Sequence, residues 1–432
     1  MKKNMWILAW ILFVSLLLSG CALKTVEELY CLPKRPKIDN NLQSVINKAM
    51  DGLEYCAPQS GNHQQVVQTA DLDGDGIDEY LLFAKDNSEK PLKILIFCQL
   101  ASGYVLMDTI EGYGFAFDFV AYEQMDDRPG VEIVVGRLVS EEVVRSVSVY
   151  RFSSGFSRHM LSIAYSRMTI ADLDNDDICE LFVLNQASSE NTNGAVTVYS
   201  YQDEELQRST ELQTSTPASE YKQIVTSTLV NGETAVYVTC AHNGVLVTDV
   251  FSCQSGVLTS TAAGLKSESI NHNYIYPDDI DEDGVLELSR LLPMRTEEGK
   301  PVLSLVEWYS VSQDGAEIVK MHTFHNFQDN WYIAIDEDIC ENLEVERQKN
   351  QCIFSVYDLR THTWEPIFAI TTLQDADREQ LAQKPGRVVL YSGETVIYVA
   401  DLLEAAEKYG ITKDTILSCF SPIRIDLNSK ED

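Results

Sequence analysis

Positive charge is in short supply. The 432-residue chain carries 33 lysine and arginine residues against 66 acidic ones, a formal net charge of −33. A surface of that sign repels a phosphate backbone, which excludes nucleic acid as a partner, and it attracts divalent cations. This is not a disordered acidic chain, because 45% of its residues are hydrophobic and the aromatics are well spread. Long apolar runs are also missing. The one at Met5 to Leu18 has fourteen residues, short of the roughly 20 that cross a bilayer core. HExxH, GxSxG and glycine-rich phosphate loops do not occur, so the common signatures of zinc proteases, α/β-hydrolases and nucleotide enzymes are absent. Among the seven histidines, His322 and His325 are neighbours, but three residues apart in a strand they point to opposite sides. The ten cysteines give no clear disulfide framework. Cys98, Cys179, Cys240 and Cys253 fall in apolar strand-like runs as small hydrophobes. Cys340 with Cys352, and Cys31 with Cys56, are spaced so that either pair could bridge, and the sequence does not fix the connectivity.

What is present begins at the N-terminus. A short positive stretch, Met1-Lys2-Lys3-Asn4, leads into the fourteen-residue apolar run, the pattern of a secretory signal peptide over residues 1–20. The run ends in Leu18-Ser19-Gly20-Cys21, which resembles a bacterial lipobox. That resemblance implies cleavage before Cys21 and a lipid on its sulfur, holding the chain on the outer face of the cytoplasmic membrane. Two or more acyl chains anchor stably where one is marginal. Loss of residues 1–20 removes two lysines and brings the net charge to −35. Residues 21–40, with Leu32-Pro33-Lys34-Arg35-Pro36-Lys37, read as a membrane-proximal tether. Leu42, Val45, Ile46 and Ala49 recur at helical spacing, which predicts a short helix over Asn41 to Leu53. Near the other end, Ala400 to Lys408, stopped by Gly410 and followed by Thr412, reads as a helical excursion.

Between these ends the sequence repeats itself. Asp71-Leu72-Asp73-Gly74-Asp75-Gly76-Ile77-Asp78-Glu79 leads into the apolar Tyr80-Leu81-Leu82-Phe83. Asp172 to Glu180 and Asp279 to Glu287 repeat the pattern, and their first aspartates follow at intervals of 101 and 107 residues. Degenerate copies at Gly130 to Gly136 and Asn231 to Val238 halve that interval, so glutamates fall at positions 79, 132, 180, 233 and 287. Tight polar turns keep the same beat: Ser102-Gly103, Ser154-Gly155, Glu204-Glu205, Ser255-Gly256, Asp314-Gly315 and Arg360-Thr361-His362. They join segments rich in β-branched and aromatic residues, a hairpin signal. A unit of about 50 residues suits one four-stranded propeller blade. The expectation is an all-β fold: a single closed β-propeller over residues 41–428, of about seven four-stranded blades, with six or eight also compatible and short helices at either end.

The loops resemble the FG-GAP/VCBS repeat family, known from integrin α-subunit propellers and bacterial surface proteins. The resemblance is good from Val66 to Leu291 and weak beyond. It implies up to three structural Ca²⁺ ions. The chemistry of the loop agrees: side chains at offsets 0, 2 and 4 of a tight turn converge, a residue free to take positive φ follows, and a carboxylate at offset 8 closes an oxygen cage. The ligands implied are Asp71, Asp73, Asp75 and Glu79; Asp172, Asp174, Asp176 and Glu180; and Asp279, Asp281, Asp283 and Glu287. Backbone carbonyls of Ile77, Ile178 and Val285 would add one each. The second loop departs from the pattern, with Asp177 where the others have glycine, and is expected to bind weakest. No catalytic residue is assigned. The function expected is that of a non-enzymatic surface binding or scaffold module, reaching the membrane through its lipid and meeting an unidentified protein or glycan. The alternative is a carbohydrate-active lyase or hydrolase on a calcium propeller.

Overall fold

The computed structural model describes residues 40–139, 144–186, 193–254, 257–270, 272–295 and 303–423. The leader, Cys21, Cys31 and the tether up to residue 39 lie outside the described residues. No described helix is long and apolar enough to cross a membrane. Six antiparallel sheets follow one another along the chain, each built from strands close in sequence except that the fifth also takes in a strand from the C-terminal end. This is the propeller organisation that the repeat implies, with six sheets, one of the counts compatible with it. The last two sheets use more chain, because the helices Glu337–Cys340, Arg378–Ala382 and Lys413–Cys419 are inserted among their strands.

The first sheet shows the plan. Val67–Ala70 leads through the acidic loop into Glu79–Lys85, followed by Leu92–Leu100 and the hairpin strand Gly103–Gly112. The two middle strands are apolar almost throughout because both of their faces are covered. Leu81, Phe83, Ile94 and Ile96 pack on Ile133, Val135 and Phe152 of the second sheet. Val134, Val147 and Val149 of the second pack on Leu181 and Val183 of the third. Third and fourth share Phe182, Val196, Val236 and Phe251, and fourth and fifth share Tyr237, Val250, Leu288 and Tyr309. Truncating one such buried Leu or Ile to Ala costs about 2–5 kcal/mol. Turns are found between third and fourth strands: Ser154 and Gly155, as predicted, at φ 55° and 83°, and Asp203 and Glu204, one residue before the predicted Glu204-Glu205, at 51° and 68°; both fit the right-handed twist of a two-residue hairpin. Ser255-Gly256 lies outside the described residues.

The plan changes in the fifth sheet. Its acidic loop is preceded by a single bridge between Asp278 and Glu287, with no full inner strand. It gains outer strands instead, Trp331–Ile335 and Phe420–Pro422. Phe324, Trp331 and Ile333 on one of its faces share a large core with Phe354, Phe368 and Tyr398 of the sixth sheet. The opposite face, around Val306 and Trp308, is covered by the segment carrying Ile270, Ile275 and Ile280. Two helices cover the outer faces of the terminal sheets. Leu42 and Ile46 of Asn40–Ala49 pack on Leu82, Leu95 and Phe97 of the first sheet, and Ala382 of Arg378–Ala382 packs on Leu373, Ile397 and Val399 of the sixth. Among the described residues no apolar cluster joins the sixth sheet to the first.

Two further expectations are corrected. Cys340 and Cys352 are free thiols, as are all eight described cysteines. Ala400 to Leu402 belongs to the strand Ile397–Leu402, and the helical excursion starts after it. Gly410, at φ 70°, ends its 3-10 turn, and the Thr412 side chain accepts the Thr415 N–H at the start of the last helix.

Candidate metal centres

Each loop is shaped by its first aspartate. Asp71 accepts the N–H groups of Gly74 and Asp75 on one oxygen (2.9 and 3.1 Å) and that of Gly76 on the other (3.0 Å). Asp172 holds Asp176 and Asp177 in the same way, and Asp279 holds Asp283 and Gly284. This folds two positions of each loop into left-handed backbone: Gly74 and Gly76, Asn175 and Asp177, Glu282 and Gly284, at φ between 58° and 86°. The sequence motif marks the second of these positions; the first is equally left-handed and carries no constant residue. At Gly74 an added Cβ would lie 2.5 Å from Pro129 of the next sheet, so glycine is required there by close approach as well.

Carboxylate oxygens converge in all three loops. Asp71, Asp73 and Glu79 place one oxygen each within 4.8 Å of one another, as do Asp172, Asp174 and Glu180, and Asp279, Asp281 and Glu287. Oxygens on opposite sides of one calcium ion stand up to about 5 Å apart, at Ca–O distances of 2.3–2.6 Å, so each trio fits around a single cation. The donor set is all hard oxygen, which suits Ca²⁺ or Mg²⁺ and not a thiophilic metal. The third aspartates are placed differently. One oxygen of Asp75, Asp176 and Asp283 accepts the N–H of Ile77, Ile178 and Val285 respectively (2.8–2.9 Å), tightening the exit of the loop. Asp283 also meets the Lys320 ammonium at 2.6 Å, with Asp281 at 3.9 Å, so the third loop already has a positive neighbour.

The closing glutamates are buried and held alike. Glu79, Glu180 and Glu287 accept the N–H of Leu72, Leu173 and Ile280, seven residues earlier, at 3.0, 2.8 and 3.2 Å. Burial, reinforced by the adjacent aspartates, pushes the carboxyls of Glu79 and Glu287 up to about 7 and that of Glu180 to about 8.

The degenerate copy in the second sheet has the same skeleton with a different occupant. Glu132 accepts the Met125 N–H at 2.7 Å, the equivalent bond. Asp126 stands at the position of Asp73, but the first and third aspartates are replaced by Gln124 and Arg128. The Arg151 guanidinium pairs with Asp126 and lies 3.6 Å from Glu132, on the point where the carboxylates converge. Strand register explains why an arginine can do this. One step beyond the pair Ile133–Tyr150, Glu132 faces Arg151. The same step places Cys98 across from Glu79, Ser200 from Glu180 and Ser310 from Glu287, and Ser310 donates to Glu287 at 2.9 Å. Where the aspartates are kept, the facing residue is small; where they are lost, it is the buried Arg151. The copy in the fourth sheet does not share the skeleton: Glu233 is half-buried, precedes the strand Thr234–His242, and its side chain accepts from the Gln254 amide.

No protein-family model matches the sequence, and no curated relative does. Solved structures resemble it at low identity. A Lactobacillus plantarum protein is 11% identical, over 71% of this chain and 85% of that one, with a TM-score of 0.32. A rhamnogalacturonan lyase of Bacillus licheniformis is 9% identical, over 81% of this chain and 89% of that one, with a TM-score of 0.31. TolB of Acinetobacter baumannii is 11% identical, over 72% and 64%, with a TM-score of 0.24. On the sheets themselves, this chain is an all-β protein of propeller-type blades carrying three acidic clusters that could hold metal ions.

Proposed function

We propose that this protein is a calcium-stabilised surface module: an FG-GAP/VCBS-like propeller, carried outside the bacterial cytoplasmic membrane by a lipid on Cys21, that binds or scaffolds and does not catalyse. The observation carrying the metal reading is the second sheet. There the protein's own cation, Arg151, pairs with the remaining aspartate and lies beside the glutamate, in the one glutamate-anchored loop that has lost two of its three aspartates. The other three loops bring three carboxylates together without a guanidinium, and a bound divalent ion supplies the missing charge. Calcium fits best, because a flexible all-oxygen cage suits it and Mg²⁺ prefers a rigid octahedron with several waters. Its role is structural. Binding to the folded state alone adds RT ln(1 + [L]/Kd), about 0.4–1.4 kcal/mol per site in millimolar calcium if Kd is on the order of 10⁻⁴–10⁻³ M.

The non-catalytic reading rests on the lack of a recognisable catalytic motif in the sequence. The test is direct. Full-length protein extracted from membranes should contain three calcium ions per chain by elemental analysis and melt at a lower temperature in chelator. Cys21→Ala should leave the membrane fraction. A melting temperature indifferent to chelator, or labelled fatty acid still incorporated into the Cys21→Ala variant, would defeat the metal and lipid readings respectively.

A further inference from the structure

The face of the fifth sheet that no other sheet covers ends in an open cleft of about 530 Å³. Five aromatic residues are in its wall: Tyr274, Tyr276, Trp308, Phe327 and Tyr332. They do not form a flat platform. Tyr274 and Tyr276 meet at 70°, with centroids 6.3 Å apart. On the floor His325 lies flat on Tyr332 at 5.1 Å, with Trp308 tilted by 39° beside it. A sugar ring stacks best on one exposed flat face, whereas inclined rings surround a compact group on several sides. Among the described residues the charged groups of the lining have one sign: Asp278 and Glu282 contribute carboxylates from the third acidic loop and its approach, with no lysine or arginine. Lys320, the nearest cation to that loop, is turned to Asp283 and does not line the cleft.

We propose that this cleft binds an organic cation, the alkylammonium group of a small molecule, held between inclined aromatic rings and the Asp278 and Glu282 carboxylates. A desolvated ammonium gains from the faces of several rings at once, and quaternary ammonium ligands are recognised in this way. The carboxylates supply long-range attraction, and the strongly acidic surface concentrates cations around the mouth. An anionic ligand would meet only repulsion. The inference names a ligand class for the surface module and does not depend on calcium filling the loop.

Choline is the probe, titrated into full-length protein in detergent by calorimetry with calcium present. Its neutral isostere, with a tert-butyl group in place of trimethylammonium, and glucose are the controls. Choline should bind saturably, with the isostere at least about tenfold weaker and glucose without effect. Tyr276→Ala should weaken choline about tenfold with its melting temperature unchanged, because Tyr276 is 39% exposed, and Tyr276→Phe should keep the affinity. Absence of saturable choline binding, an isostere or glucose binding as tightly as choline, or wild-type affinity in Tyr276→Ala would overturn the proposal. Melting with and without calcium is read on the same samples, so failure of the metal reading and failure of this one are told apart.

Discussion

Arg151 is 7% exposed near the end of the strand Arg145–Ser153. Its partners Asp126 and Glu132 are each about 1% exposed. Removing one member of a buried ionic group strands the others, at a cost of about 3–5 kcal/mol. Arg151→Ala should therefore lower stability by that amount in denaturant unfolding, and adding Glu132→Gln should recover part of it. Two variants as stable as wild type would mean that the pairing contributes nothing. Asp177 makes the opposite case, a residue strained in place. It sits at φ 67° where the other loops have glycine at 86°, and non-glycine residues in that region cost on the order of 1 kcal/mol. Asp177→Gly should raise the melting temperature in chelator, and a fall would show that the Asp177 side chain makes a contact worth more than its strain. The aspartates that converge were legible from spacing alone. Arg151 was not, because only strand register brings it opposite Glu132. Glu233 kept the sequence beat and misled, since spacing does not say which glutamates turn inward.

At the scale of the loop and its strand, charge and proton compete for one place. Glu79, Glu180 and Glu287 ionise near 7, 8 and 7 when folded, against an ordinary value of 4.5. A carboxyl whose folded value is raised favours folding while protonated. Its contribution is complete below the unfolded value and is lost as pH rises through 7 to 8. In chelator, the melting temperature should fall between about pH 5 and pH 8. Calcium should flatten that fall, because the ion displaces the proton. Glu180→Gln, which cannot ionise, should show a shallower slope in chelator, and a slope equal to that of wild type would remove the glutamates as its cause. The hairpins were readable because their turn residues must take positive φ. The fifth and sixth sheets were not, because their extra outer strands and inserted helices follow tertiary packing in one large core and obey no repeat.

Across the molecule the convergent loops fall on the first, third and fifth sheets, and the second carries its own cation. The fold class was legible from the repeat, while the sheet count was not, since the unit lengthens once the repeat ends. Chelation should therefore act in alternation. Amide hydrogen exchange should quicken in the strands Glu79–Lys85 and Glu180–Asn185, while Glu132–Leu138 and Thr234–His242 stay protected. Uniform loss of protection would mean that the sheets open as one unit. The covering of one face of the first sheet by Asn40–Ala49 and of one face of the sixth by Arg378–Ala382 means that the apolar side chains there are taken up within the chain and are not offered to a second molecule.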